Sequence, residues 1–304
     1  MGVFIEHGHQ YDTYSSLEHL LYPLLPWNHS KVEWPAVSLA IRHGVNRLAG
    51  FTTHEKDDWT SLDYLRFFLT RNPANIPRLI RIYGQLLRRF LSYYINHRRT
   101  TLDPIGEIHG QVRRTLAPES GLSQTQLIEL EKLHAPPRHL TLIGLINTSF
   151  IDRWLLFLFD SLFVVTLLTL DLPWWGWLLA MASMLGWSAA AMRAMDRMLD
   201  PYIPPKLADF AARMHDIVKT RYVIMGHSHV PHVVLLPQDN AININTGSWL
   251  HQSAVVRHAD EHCDCNLTHV AVIINDNAHL DAELRRWCIQ ARKPFRWSHH
   301  PEPR

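Results

Sequence analysis

Two apolar runs, 154–170 and 174–192, stand back to back in the chain with only Asp171-Leu172-Pro173 between them. Each is about as long as a helix needs to be to cross the hydrocarbon of a bilayer, roughly 20 residues at ~1.5 Å each. Pro173 supplies the turn. Trp174, Trp175 and Trp177 cluster there, while Trp154 and Trp187 lie toward the other end, matching the two aromatic belts of a membrane. Arg153, Arg193, Arg197 and Lys206 flank the open end and the turn has no basic residue, so the charge rule puts both ends in the cytoplasm. Ala180, Ala182, Ser183 and Gly186 offer small side chains for close helix packing. Asp160 opposes this reading, because a carboxylate at the centre of a bilayer costs roughly 2.5–3.5 kcal/mol. A buried helical hairpin in a soluble protein is the alternative. The expectation is a multi-pass membrane protein with a two-helix transmembrane hairpin over 151–200 and a lipid bilayer as partner.

A second pattern lies beyond it. Arg221-Tyr222-Val223-Ile224-Met225 is β-favouring and ends at Gly226, followed by His227-Ser228-His229. Neutral imidazole is a common ligand for zinc, manganese or iron, so His-x-His at a strand rim can seed a metal site. Near the start, Val3-Phe4-Ile5 runs into Glu6 and then His7-Gly8-His9. With 21 histidines in the chain such pairs also arise by chance, and His299-His300 reads as a tail pair. Spacing alone leaves both readings open. Asp12 either orients a histidine or caps a helix expected after it.

Neighbouring residues add a resemblance. Met225-Gly226-His227-Ser228-His229-Val230-Pro231, then a strand, then Asn245-Thr246-Gly247-Ser248-Trp249, resembles the closing motifs of calcineurin-like metallophosphoesterases. Ile5-Glu6-His7-Gly8-His9-Gln10-Tyr11-Asp12 is similar to the motif that precedes them in that family, and the three occur in the family's order. The resemblance covers 1–14 and 219–288. It implies a metal-dependent phosphoric ester hydrolase with two divalent ions (Mn, Fe or Zn), His7 and His227 on one ion and His229 on the other. His9, Asp12, Asn245 and Ser248 would lie in a supporting shell or substrate loop, with Asn245 and Ser248 shaping the loop. The family's Asp-x-His, Gly-Asp-x-x-Asp and Gly-Asn-His segments do not precede Met1, which leaves the catalytic residues unknown. The chain is therefore expected to be the C-terminal portion of such an enzyme, inactive as written. A non-catalytic, membrane-bound protein that binds a partner or a single metal is the alternative. The substrate class implied is a phosphorylated small molecule or a lipid-linked one.

The fold expected is α/β (α+β): a partial metallophosphoesterase β-sandwich flanked by helices, with a helical insertion that contains the hairpin. Its parts would be 1–21 and 201–290 for the sandwich, 22–150 for the helical insertion, 151–200 for the hairpin and 291–304 for a tail. Helical spacing recurs at 37–48, 62–69, 76–94, 123–133 and 207–218, the fourth opened by a Ser123/Gln126 capping box. The 76–94 helix has a basic side, which either lies on an anionic membrane or is a solvated face. Segments 232–236, 241–245, 254–257, 267–274 and 280–287 read as strands of an antiparallel meander. A formal net charge of +2 gives no reason to expect nucleic acid as a partner. Cys263, Cys265 and Cys288 lack a matching second pair and read as reduced thiols of a cytosolic part. Met1 to Ile5 runs at once into Glu6 and His7, unlike a secretory signal.

Overall fold

The computed structural model describes residues 2–47, 76–100, 104–199, 204–237, 240–247, 267–274, 279–288 and 291–297. The chain is mixed α/β. Its helices are α1 (Ala36–His43), α2 (Ile76–Arg99), α3 (Pro104–Ser120), α4 (Gln124–Glu131), α5 (Leu142–Thr148), α6 (Ile151–Leu168), α7 (Trp174–Leu199) and α8 (Pro204–Val218). Its strands are β1 (Val3–Ile5), β2 (Leu24–Leu25), β3 (Asn28–Val32), β4 (Tyr222–Met225), β5 (His232–Leu235), β6 (Ile242–Asn245), β7 (Leu267–Ile274), β8 (Leu280–Cys288) and β9 (Lys293–Arg296).

β4 organises the sheet region. All four of its residues are buried, and strand alternation sends them to two different cores. Val223 and Met225 pack with Leu207, Ala211 and Met214 of α8 and with Leu127 and Leu130 of α4. Tyr222 and Ile224 face the other way, toward Leu284, Val270 and Leu280 of the β7-β8-β9 sheet. Helices thus cover one face of the first sheet and a second sheet covers the other. A strand buried on both faces needs an unbroken apolar run, which is what Tyr222-Val223-Ile224-Met225 supplies.

The first sheet has the order β1-β4-β6-β5. β1, β4 and β6 run parallel, and β5 pairs antiparallel with β6. This corrects the expected continuous meander, which forms only as β7-β8-β9. β5 folds back on the outer edge of β6 and leaves the inner edge of β6 free for β4. β9 falls within the stretch expected to be a tail; Pro294 is tolerated there because β9 is an edge strand.

Residues after Asp12 also depart from expectation. In place of a helix, the Asp12 carboxylate accepts from Tyr14 N and Ser15 Oγ, and Gln10 Oε1 accepts from Leu17 N. These bonds satisfy the backbone in a turn and lead into the β2-β3 hairpin, which composition did not announce. The capping box of α4 is present as expected. Gln126 Nε2 also donates to Ile217 O at the end of α8. The helical stretch from 37 stops at His43, and α3 was not anticipated. The 62–69 helix, the 254–257 strand, Ser248, Trp249, Cys263 and Cys265 lie outside the described residues. Cys288 is buried, and its Sγ accepts from Ala291 N at 3.3 Å.

α6 and α7 run antiparallel, with Ser188 Oγ donating to Asp160 Oδ2 (2.8 Å) and Arg153 Nη2 donating to Asp196 Oδ1 (2.7 Å). Of the two expected spans, α7 alone among the described residues is long and apolar enough to cross a membrane, over Trp174–Met198, with none of its apolar stretch buried. α6 has only 18 residues, and Asp152, Arg153 and Asp160 are among them.

Candidate functional site

Parallel strands deliver their C-terminal ends to one edge of the sheet, where loops form crevices. Here β1 ends in Glu6-His7-Gly8-His9, β4 ends in Gly226-His227 and β6 ends in Asn245. The ladder continues past the strand ends, with Glu6 N donating to Ile224 O, Gly226 N to His7 O and Thr246 N to Met225 O. The loops therefore cannot drift apart. Asn245 Nδ2 donates to Gly226 O (2.8 Å) and to Ser228 Oγ (2.9 Å), while its Oδ1 accepts from Gly247 N.

Close approach sets the backbone at the rim. Gly8 has φ +92°, and a Cβ there would stand 3.2 Å from Met225 Cε and 3.6 Å from His227 Cβ. His227 (φ 70°) and His229 (φ 58°) both sit in the left-handed region. That region is uncommon for residues with a Cβ and is tolerated where surrounding contacts fix it.

The turn gathers the imidazoles. The His7 ring lies 5.2 Å from that of His9 and 5.5 Å from that of His227, both edge-on. His227 Nε2 is 3.1 Å from Asp12 Oδ2. His229 is near enough for its charge to bear on His7. Hence His7, His9, Asp12, His227 and His229 come together, with Asn245 beneath them; Ser248 is not described.

Burial, then His227 and His229, hold the His7 imidazole below its ordinary pKa. His9 is pushed down to about 4 by burial and by His7, His227 and His134, with Asp12 opposing. Both rings are therefore neutral at pH 7. Burial works to raise Asp12, but hydrogen bonds from His227, Ser15 and Tyr14 N outweigh it and hold the carboxyl below the usual carboxylate range.

Three neighbours were not foreseen. Tyr11 Oη donates to Glu6 Oε2 at 2.7 Å, and His134 Nε2 stands 3.9 Å from Glu6 Oε1. Burial raises the pKa of Glu6, despite the Tyr11 bond. Segment 134–138 is clamped onto the 10–13 loop, with Ala135 N donating to Gln10 O and Arg138 N to Thr13 O. Glu6 carried a signal, since it adjoins His7 at a strand end. A lone histidine 127 positions later (134 less 7) carried none.

The donor chemistry suits a divalent ion of the zinc or manganese type. His9 Nδ1 is buried and makes no hydrogen bond, and neutral imidazoles with one carboxylate are the ligand set such ions take. The side chains as placed do not complete a site: no three His, Cys, Asp or Glu among the described residues converge on a common point. Asp12, the carboxylate bonded to the cluster, is engaged by His227, and Glu6, next to His7, is held through Oε2 by Tyr11.

No family model, curated protein or solved structure matches the chain.

Proposed function

We propose that this is a membrane-anchored protein with a histidine metal site of the calcineurin-like metallophosphoesterase type, acting on a phosphate ester or pyrophosphate. The observation that carries the reading is the meeting of His7, His9 and His227 at the C-terminal edge of β1 and β4, with Asp12 on His227. His7, His227 and His229 would hold the ion. A divalent ion there would act as a Lewis acid on a phosphoryl oxygen. Burial keeps His7 and His9 neutral, so their lone pairs are available. With Nε2–H given to Asp12, the Nδ1 lone pair of His227 is the one left for a ligand.

In this reading α6 enters the bilayer beside α7 as a hairpin, with Asp160 partnered by Ser188. Arg153, Arg193 and Arg197 at the open end support a cytoplasmic position for the histidine cluster in this reading. The substrate is then a phosphorylated small molecule or a lipid-linked one that reaches that surface.

A specific observation favours a second, non-catalytic reading. Asp12 is held by His227, and no three His, Cys, Asp or Glu side chains among the described residues converge on one point, whereas a binuclear mechanism needs two ions held side by side. Titration of the detergent-solubilised chain with Mn²⁺ or Zn²⁺, alongside hydrolysis of an aryl phosphate, separates the two. Saturable binding near one ion per chain, weakened at least about tenfold in His227→Ala, together with chelator-sensitive turnover supports the enzyme. Binding without turnover supports the second reading. Equal metal uptake by wild type and His227→Ala would sink the site itself.

A further inference from the structure

The last four carbonyls of a helix find no N–H within the helix to pair with. At the end of α7 one of them, Met198 O, accepts from Arg138 Nη2, and a guanidinium placed there also meets the negative end of the helix dipole. Arg138 stands 60 positions earlier in the chain, in the turn between α4 and α5. Its N–H donates to Thr13 O at 2.9 Å, and its carbonyl accepts from Thr141 Oγ1 at 3.1 Å. The guanidinium carbon lies over the Tyr14 ring, 5.3 Å from its centre, within the range of a cation–π contact. One side chain thus covers Tyr14 and reaches α7 at once. A planar fork suits both tasks better than a compact ammonium does.

Tyr14 belongs to the turn that Asp12 builds. Asp12 accepts on its carboxylate from Tyr14 N at 2.9 Å and from Ser15 Oγ at 2.6 Å, and on its carbonyl from Ser15 N and Ser16 N. Oδ2 of the same carboxylate stands 3.1 Å from His227 Nε2, and Asp12 is only 7 % exposed. A turn bonded this closely moves as a unit, so what fixes Thr13 and Tyr14 fixes the carboxylate. Direct contacts therefore run without a break from Met198 O through Arg138, Tyr14 and Asp12 to His227, and coupling between sites travels through contiguous groups of this kind.

The geometry points to Arg138 as a positioning residue of the histidine cluster, setting the Asp12 turn, and through Asp12 the His227 ring, from the end of α7. Loss of the guanidinium then loosens the turn. By reciprocity, an ion held at the cluster tightens the end of α7. This role rests on the metal reading of the histidine cluster and not on where α7 lies relative to a bilayer.

The full chain in detergent is titrated with Zn²⁺ against a chelating dye, and amide exchange is followed by mass spectrometry with and without the ion. Arg138→Ala should weaken Zn²⁺ roughly two- to thirtyfold. Arg138→Lys, which can still donate to Met198 O but has no plane to lay over Tyr14, should lose less. In an Asp12→Asn background Arg138→Ala should cost nothing further, because the two act through one contact. Without metal, Arg138→Ala and, to a smaller degree, Arg138→Lys should speed exchange at residues 14–16. Zn²⁺ should slow exchange at the end of α7 in wild type and not in Arg138→Ala. Unchanged Zn²⁺ affinity in Arg138→Ala overturns the assignment, as does an equal loss with and without Asp12, which would mark general destabilisation. Should wild type bind no Zn²⁺, the metal reading fails, and exchange at 14–16 in the metal-free chain still decides the contact: rates equal to wild type in Arg138→Ala would show that the guanidinium does not hold the turn.

Discussion

His227 is reached by Asp12 across 215 positions of sequence, and that single contact decides how the cluster behaves. If Asp12 orients the ring for an ion, Asp12→Asn should weaken metal binding about 10- to 100-fold, measured by competition with a chelating dye. A gain in affinity would show instead that Asp12 competes with the ion for His227. A second buried carboxyl sits away from the cluster. Glu33 is 4 % exposed and accepts from Glu18 N on both oxygens, yet burial pushes it up to about 7. Its folded pKa thus lies above its unfolded one, so the stability tied to its protonation is full below about 4.5 and is lost as pH rises to about 7. The loss amounts to about 3 kcal/mol at roughly 1.4 kcal/mol per unit. The melting temperature of wild type relative to Glu33→Gln should therefore fall between pH 5 and pH 8; a constant difference would refute this. The histidines of the rim were readable in sequence because strand ends present side chains predictably. Glu33 was not, because nothing local to β3 shows which side chain the fold will bury.

At the level of elements, sequence periodicity located segments better than it located partners. β4, β5, β6, β7 and β8 all lie where alternation and apolar runs put them, but whether β4 and β6 run parallel depends on which edge of β6 the intervening hairpin takes. That is a tertiary choice, absent from any single window. α3 escaped notice for a local reason: Pro118 sits in its last turn, where proline has no N–H to give to the carbonyl four residues back, and so it reads as a helix breaker. The α5 junction shows how tightly such pieces are fitted. Thr141 caps α5 by accepting from Gly144 N, and a Cβ on Gly144 would be driven into the Arg138 carbonyl. Gly144→Ala should destabilise the helical region by roughly 1–3 kcal/mol, the usual cost of overpacking. Thermal unfolding followed by helix ellipticity tests it, and an unchanged midpoint would mean the 138–140 turn yields freely.

For the whole molecule the question is where the apolar surface of α6 and α7 goes. Leu155, Phe157, Leu158 and Leu162 on α6, and Leu178, Leu179, Leu185 and Trp187 on α7, are each more than half exposed. Together they exceed what a soluble monomer leaves bare. α7 answers by length and composition. α6 answers only if Asp160 can enter with it, and the Ser188 hydroxyl is placed to share that carboxylate's burden. Were α7 to cross alone, Pro173 and the last turn of α6 would have to lie across the bilayer from the histidine cluster while the rest of α6 stayed outside, although α6 runs alongside α7 from Arg153–Asp196 to Asp160–Ser188. A paired insertion avoids that contradiction. The chain should accordingly remain in the membrane pellet after carbonate extraction. A cysteine placed at Leu172 should react with an impermeant maleimide from the face opposite to one placed at Lys132 on the helical region. Labelling of both from the same face would restrict the pair to the membrane surface, and full recovery in the soluble fraction would require another chain of this protein to cover these helices.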